Sequence, residues 1–356
     1  MKLVSIDGSM GEGGGQILRT SVSLAAVLGL PIRVYNIRAK RKNPGLRPQH
    51  LNAIRAIAEI SGGRLVGAEI GSTVIEFYPG EIRGGRYVIN IGTAGSVTLV
   101  LQALIPVMGF APSRISVRIM GGTDVPMSPT IDYFREVFTP LLERCGLRVE
   151  ISLLRRGHYP RGGGIVEAKV EEPPGSLKPV NLEERGSLLE IRGRSHAVRL
   201  PSHVASRQAL SARGILEREL GREALIEEEW YAPGRDPHLG PGSGITLWAV
   251  FSNSIMGSDA LGERGKPAER VGEEAARKLV EDVRTGTSLD RHASDMLPLY
   301  AALARGESRL TGSRLTMHAI TVFKLLELIM EGFEYNIEGS QNEPFRAVIR
   351  GAGIQR

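Results

Sequence analysis

One pattern recurs three times along the chain and leaves few folds open to it. Each copy reads as a glycine- or alanine-rich turn, a helix of small apolar residues, a strand, a second helix, a glycine break and two more strands. In the first copy the helix is expected over 17–28 and the strand over 32–37. The second helix follows Arg47-Pro48-Gln49-His50, and strands near 64–66 and 74–78 come after Gly62-Gly63. The second copy starts at Gly92-Thr93-Ala94-Gly95-Ser96, with helices at 97–107 and near 130–144 and strands at 114–120, 147–153 and 165–170. The third starts near Asp290, with helices at 293–304 and 317–330 and strands at 308–311, 335–337 and 345–349. A unit this small cannot bury its helices alone, so repeats stack to share a core. The expected architecture is α/β: three repeated units around a pseudo-threefold axis.

The third unit does not follow the second directly. Residues 182–287 break the repeat with a strand, helix, strand, strand and charged helix of their own, at 188–191, 206–219, 225–230, 244–251 and 268–283. Pro173-Pro174-Gly175 and Thr285-Gly286-Thr287-Ser288 mark its edges. With 356 residues the chain exceeds the roughly 250–300 over which one core holds together. The expected division is a three-repeat domain, 1–181 and 288–356, carrying a smaller inserted α/β domain, 182–287.

The first turn has chemical content. A strand runs into Asp7-Gly8-Ser9-Met10-Gly11-Glu12-Gly13-Gly14-Gly15 and then into a helix. Glycines admit close approach to the backbone, and a helix N-terminus attracts anions. Glu12 in the turn and Arg19 in the helix then read as a phosphate site with a metal nearby, or as a tight turn with a surface acid. Arg38, Lys40, Arg41, Lys42 and Arg47 add either a phosphate-reading patch or a solvated basic loop. The net charge of +6 agrees with a polyanionic partner. Aromatic content of 5% argues against base stacking as the main mode of binding single-stranded RNA.

Several classes are excluded or disfavoured. Cys145 is the only cysteine, so there is no disulfide framework. No apolar run reaches the ~18 residues of a membrane span. The N-terminus lacks a secretory pattern, so a cytoplasmic protein is expected. Many Arg and Glu with a single Cys agree with a thermophilic source. There is no Gly-x-x-x-x-Gly-Lys-Ser/Thr loop, no His-Glu-x-x-His and no Gly-x-Ser-x-Gly.

Aligning the repeats puts Gln49-His50, Pro129-Thr130 and Met317-His318 in register at the start of each second helix. A helix N-terminus disfavours imidazolium, so His318 is either a neutral nucleophile or a ring that packs or caps. Asp295 either receives a ribose hydroxyl or a metal, or favours its own helix start. Gln102, on an apolar helix, bonds either a neighbouring backbone group or a ligand.

Gly11-Glu12-Gly13-Gly14-Gly15-Gln16-Ile17-Leu18-Arg19 resembles the opening of the RNA 3′-terminal phosphate cyclases. Arg156-Gly157-His158-Tyr159-Pro160-Arg161-Gly162-Gly163-Gly164-Ile165-Val166 resembles that family's diagnostic pattern. Pro44-Gly45-Leu46, Gln49-His50-Leu51 and Gly92-Thr93-Ala94-Gly95-Ser96 resemble further family blocks. The resemblance covers nearly the whole chain and is weakest in the insert. It implies three repeats with an inserted domain, and ATP-dependent conversion of an RNA 3′-phosphate to a 2′,3′-cyclic phosphate, with release of pyrophosphate and AMP. It implies a divalent metal, Mg or Mn, and RNA with a 3′-terminal phosphate as partner.

By the same resemblance His318 is the histidine that becomes adenylylated. His292, Ala293, Ser294, Asp295 and Met296 form a nucleotide-binding segment, and Gln102 is a further ATP contact. Glu12 is a metal-binding acid, and Arg19, Arg38, Arg41 and Gln49 handle phosphates. The segment departs from the usual His-Leu-Ala-Asp-Gln at Ala293, Ser294 and Met296. Two other readings stand beside this one: a non-catalytic, cyclase-like RNA-binding factor in ribosomal RNA processing, and a repeat-built enolpyruvyl transferase. The presence of His318, Asp295 and Glu12 favours the enzyme over the non-catalytic relative.

Overall fold

The computed structural model describes residues 3–355. The first unit is β1 (Val4–Asp7), α1 (Gly15–Leu28), β2 (Ile32–Tyr35), α2 (Pro48–Ile60), β3 (Arg64–Val66) and β4 (Ile75–Tyr78). The second is β5 (Gly85–Asn90), α3 (Val97–Gly109), β6 (Ile115–Gly121), a helical stretch, β7 (Glu150–Arg155) and β8 (Gly164–Val170). That stretch comprises α4 (Ile131–Tyr133), a π-helical segment over Phe134–Phe138 and α5 (Thr139–Arg144).

Next come β9 (Asn181–Leu182) and the off-repeat segment. The latter holds β10 (Leu188–Val198), α6 (His203–Leu220), β11 (Ala224–Trp230), β12 (Gly242–Phe251), β13 (Ile255–Leu261) and α7 (Ala268–Arg284). The chain ends with α8 (Arg291–Leu303), β14 (Arg305–Gly312), α9 (Met317–Ile329), β15 (Glu334–Gly339) and β16 (Phe345–Ala352).

Three sheets repeat one order: β1-β2-β4-β3, β5-β6-β8-β7 and β9-β14-β16-β15. In each, the first two strands are parallel and the last two pairings antiparallel. The third unit therefore takes its first strand from Asn181–Leu182, ahead of the insert, rather than starting near Asp290. Two residues carry no periodicity, so only the pairing of Asn181 and Leu182 with Arg309 and Leu310 reveals the strand. Strands β5 and β13 also lie outside the expected set. β5 exposes most of its residues, and β13 holds a glycine and a serine, so neither alternates cleanly in hydropathy.

The helices form the centre. α1 packs against α2, α3 and α9, and α8 packs against α9. Their small apolar faces explain the close packing: Ala25, Ala26, Ala53, Ala103, Ala301, Ala302 and Ala319 are all buried. One core runs through all three units. A second, from Ile191 to Val283, lies between the sheet β11-β10-β12-β13 and the helix pair α6 and α7. Trp248 and Ile255 cross from the insert into the main core. Among the described residues no helix is long and apolar enough to cross a membrane.

Candidate active site

The glycine-rich turn between β1 and α1 faces the start of α9. Gly11 sits at φ 52°, and a Cβ there would stand 2.2 Å from Thr321 Oγ1. The turn reaches α9 only because this residue is glycine. A small, open cleft lies here, lined by Met10, Glu12, Gln16, Ile17, His318 and Thr321, with Gly13 and Gly14.

His318 is the second residue of α9. The N-cap of that helix is Thr316, whose Oγ1 accepts from the Ala319 amide at 3.0 Å. The Thr316 hydroxyl donates in turn to Asp295 on α8, so both third-unit helices are tied beside the ring. His318 Nδ1 lies 2.6 Å from Gln16 Oε1, and Gln16 Nε2 donates to the His318 carbonyl at 3.4 Å. The carbonyl can only accept, which sets the amide nitrogen toward it and the amide oxygen toward the ring. The ring therefore donates from Nδ1 and keeps its lone pair on Nε2. Nε2 lies 3.6 Å from Glu12 Oε2. Burial lowers the pKa of His318, and Arg19, Arg41 and His292 lower it further against the opposing pull of Glu12.

Arg19, in the first turns of α1, is only 6% exposed, and its Nε is buried without a partner. Among the described residues it makes no hydrogen bond or ion pair. Burial alone pushes it down to about 10. A buried guanidinium without counter-charge is costly, and its N–H groups are available to an anion. The loop carrying Lys40 and Arg41 lies over the glycine turn. Lys40 Nζ donates to the Gly11 carbonyl at 2.9 Å, and Arg41 meets Glu12 at 3.3 Å.

Of the residues singled out in the sequence, the fold gathers Glu12, Arg19, Arg41, His292 and His318 into one electrostatic neighbourhood. Asp295 joins it through Thr316. Burial raises the Asp295 carboxyl to about 7 against its bond from Thr316. Ala293, Ser294 and Met296 turn inward and are buried, whereas His292 packs edge-on to Tyr133 at 5.3 Å. Arg38, held at φ 56°, donates to the carbonyls of Asn43 and Gly45 in its own loop at 2.7 and 2.9 Å. Gln49 accepts from the Ser96 amide at 2.9 Å, joining the first and second units. Gln102 is half-buried on α3 and has no hydrogen-bond partner among the described residues. Gln16 and Thr316 are absent from the sequence-derived set. Gln16 stands inside the Gly-Glu-Gly-Gly-Gly-Gln turn, but only the fold brings it to α9, 302 residues away.

Among the described residues Glu12 is the only carboxylate lining the cleft. One hard oxygen donor suits Mg²⁺, which commonly takes one or two carboxylates together with substrate phosphates. A second polar cluster lies elsewhere. Arg156, 1% exposed, meets Asp124 at 3.3 Å, Asp132 at 2.7 Å and Glu229 at 2.6 Å. The His158 and His196 Nε2 atoms are 3.2 Å apart, and with Asp124 they form a donor set of metal-ligand type. The Arg156 guanidinium already brings positive charge against Asp124 there, and burial with Arg156 keeps both rings neutral.

A family model described as RNA 3′-terminal phosphate cyclase matches residues 10–336. The chain is 58% identical over 352 residues to the RNA 3′-terminal phosphate cyclase of Hyperthermus butylicus, covering 98% of each protein. It is 54% identical over 354 residues to that of Ignicoccus hospitalis, covering 99% of this chain and 100% of the relative. Among solved structures, the enolpyruvyl transferase NikO from Streptomyces tendae covers 100% of this chain with 50% of its own length, at 11% identity and a TM-score of 0.39. That likeness is too remote to bear on the site. Matched along most of its length and more than half identical to full-length relatives, the chain belongs to the RNA 3′-terminal phosphate cyclase family.

Proposed function

We propose that the protein converts an RNA 3′-phosphate to a 2′,3′-cyclic phosphodiester through a histidine-AMP intermediate. The observation that carries this reading is the tautomer of His318: Gln16 holds Nδ1, and the free Nε2 lone pair faces the cleft. Nε2 attacks the α-phosphate of ATP, and the bond to the β-phosphate bridging oxygen breaks, releasing pyrophosphate. AMP then passes from His318 to the RNA 3′-phosphate, which becomes activated. The adjacent 2′-hydroxyl attacks the same phosphorus, expels AMP and closes the ring, a step favoured by proximity. Arg19 and Arg41 offset negative charge on the phosphates. Glu12 would hold the divalent metal, which when bound screens phosphate charge. Asp295, His292, the backbone of 293–296 and Gln102 are assigned to the nucleotide, and Arg38 and Gln49 to phosphate or RNA. The division into a three-repeat domain, 1–181 and 288–356, and an inserted domain, 182–287, belongs to the same proposal, as does a cytoplasmic location.

The test is incubation with ATP labelled on the α-phosphate and a divalent metal. The expected result is an acid-labile, base-stable protein adduct, absent from His318→Ala. RNA ending in a 3′-phosphate should discharge it, and RNA ending in a 3′-hydroxyl should not. An unlabelled wild type, or a labelled His318→Ala, overturns the reading.

A further inference from the structure

His50 lies near the start of the second helix of the first unit, as His318 does in the third, but one residue further from its N-cap. The reaction scheme above leaves it unused. As the third residue of α2, it accepts a hydrogen bond from the Arg47 backbone amide on Nδ1 at 3.4 Å, closing a capping box. An amide can only donate, so Nδ1 carries the lone pair and Nε2 carries the proton. The two helix-start rings thus hold opposite tautomers. His318 presents a nucleophilic lone pair, and His50 presents an N–H.

That N–H lies beside the unpaired guanidinium. A Cβ on Gly15 would stand 2.1 Å from His50 Nε2 and 3.0 Å from Arg19 NH1, so both groups crowd the same backbone position at the start of α1. Only glycine fits there. Arg19 is buried with no partner for its Nε, and Arg38 and Arg47 also face the ring. Burial and these three arginines hold His50 at about 3, so the ring is neutral at any working pH. Among the described residues no carboxylate is within ion-pair distance of Arg19, and the first turn of α1 has no acidic residue.

We propose that Gly15, Arg19 and His50 form a phosphate seat, with neutral His50 donating Nε2–H to a terminal phosphate beside the Arg19 guanidinium. The inference rests on the cyclase reading of this cleft and adds a phosphate-binding role for His50. A neutral donor supplies a hydrogen bond without adding positive charge beside Arg19, Arg38 and Arg47. Two ligands present this chemistry, the 3′-phosphate of the RNA and a phosphate of the nucleotide.

The test separates capping from binding by substitution at one position in the full chain. His50→Gln keeps both functions, since glutamine also closes capping boxes and its amide donates. His50→Glu keeps the cap but turns an anion toward Arg19. His50→Ala loses both. Affinities are measured by anisotropy for a labelled oligoribonucleotide ending in 3′-phosphate or 3′-hydroxyl, and by calorimetry for ATP, alongside thermal midpoints.

The expected order of phosphate affinity is wild type and Gln together, Ala about 10- to 100-fold weaker, and Glu weaker still despite a midpoint matching Gln. Loss confined to the 3′-phosphate oligonucleotide identifies the RNA end as occupant, and loss confined to ATP identifies the nucleotide. A Glu variant that binds both ligands as tightly as Gln overturns the proposal and leaves His50 a cap. Should the Glu variant not fold, equal affinities of Ala and Gln overturn it. Binding is read without chemistry, so a failure of His318 adenylylation is scored separately from a failure of this seat.

Discussion

Gln16 Oε1 accepts a hydrogen bond from His318 Nδ1 at 2.6 Å, joining the first helix of the chain to the last. The bond fixes which ring nitrogen is free, as the partner of an essential histidine commonly does. Gln16→Ala should leave the ring free to rotate and to change tautomer. Adenylylation is expected to slow by about 10- to 100-fold, the range for losing such an orienting partner. Gln16→Glu still accepts from Nδ1–H but adds a charge that favours imidazolium. Its rate should recover only as pH rises, displacing the pH profile upward. An unchanged profile in the Glu variant would show that the partner's charge does not reach the ring.

The depressed pKa of His318 has a definite sign in kinetics. In the proposed mechanism the reactive form is neutral, so adenylylation should be lost as pH falls through the pKa of the folded protein. Because burial, Arg19, Arg41 and His292 lower that pKa, the rate should hold below the ordinary histidine value of about 6.5 before falling. Glu12 acts in the opposite sense, so Glu12→Gln should move the limb lower still. Arg41→Gln should move it higher. Single-turnover labelling across pH, with the chemical step limiting, reads all three.

Much of the fold was legible because the repeats carry their own periodicity and punctuation. Gly14 before α1, Ser96 before α3 and Thr316 before α9 mark helix starts where turn chemistry predicts them. Strand β9 was not legible, because two residues hold no pattern and only their pairing with β14 defines them. Of the candidate site, the chemically loud residues Glu12, Arg19 and His318 could be singled out from the sequence, and the fold brings them into one neighbourhood. Gln16 stands inside the glycine-rich motif, yet its contact with His318 spans 302 residues, which spacing cannot reveal. The contacts of Arg38 are equally invisible in the sequence: its NH1 donates to two carbonyls of its own loop, a tie that a run of basic residues does not announce.

Glu12 and His318 should fail in different ways. Glu12→Ala removes the one carboxylate lining the cleft, so the rate should fall at limiting metal and recover in part as metal is raised. His318→Ala removes the proposed attacking atom, so no metal concentration should restore labelling. Titrating Mg²⁺ or Mn²⁺ against the rate of labelling in each variant distinguishes them. An identical metal response in wild type and Glu12→Ala would remove Glu12 from the metal site.

The Arg156-Gly157-His158 stretch marks the family in the sequence, but in the fold its arginine serves as a clasp. The guanidinium joins Asp124 and Asp132 of the second unit to Glu229 on strand β11 of the insert. Burial opposes ionisation of Asp132, yet Arg156 and Arg194 hold its carboxyl below the usual range. Removing the arginine leaves buried Asp124 without its cation, while Asp132 keeps Arg194 and Arg135; breaking such a buried pair typically costs about 3–5 kcal/mol. Arg156→Met should therefore lower stability by that order in denaturant unfolding. Arg156→Lys keeps the charge but not the fork that reaches three carboxylates, and should fall between Met and wild type. The loss should also be coupled to the insert. Glu229→Gln, which alone leaves Asp124 and Asp132 to balance Arg156, should cost less than Arg156→Met and add little to it in the double variant. Additive losses would mean that the second unit and the insert do not share the charge on this arginine.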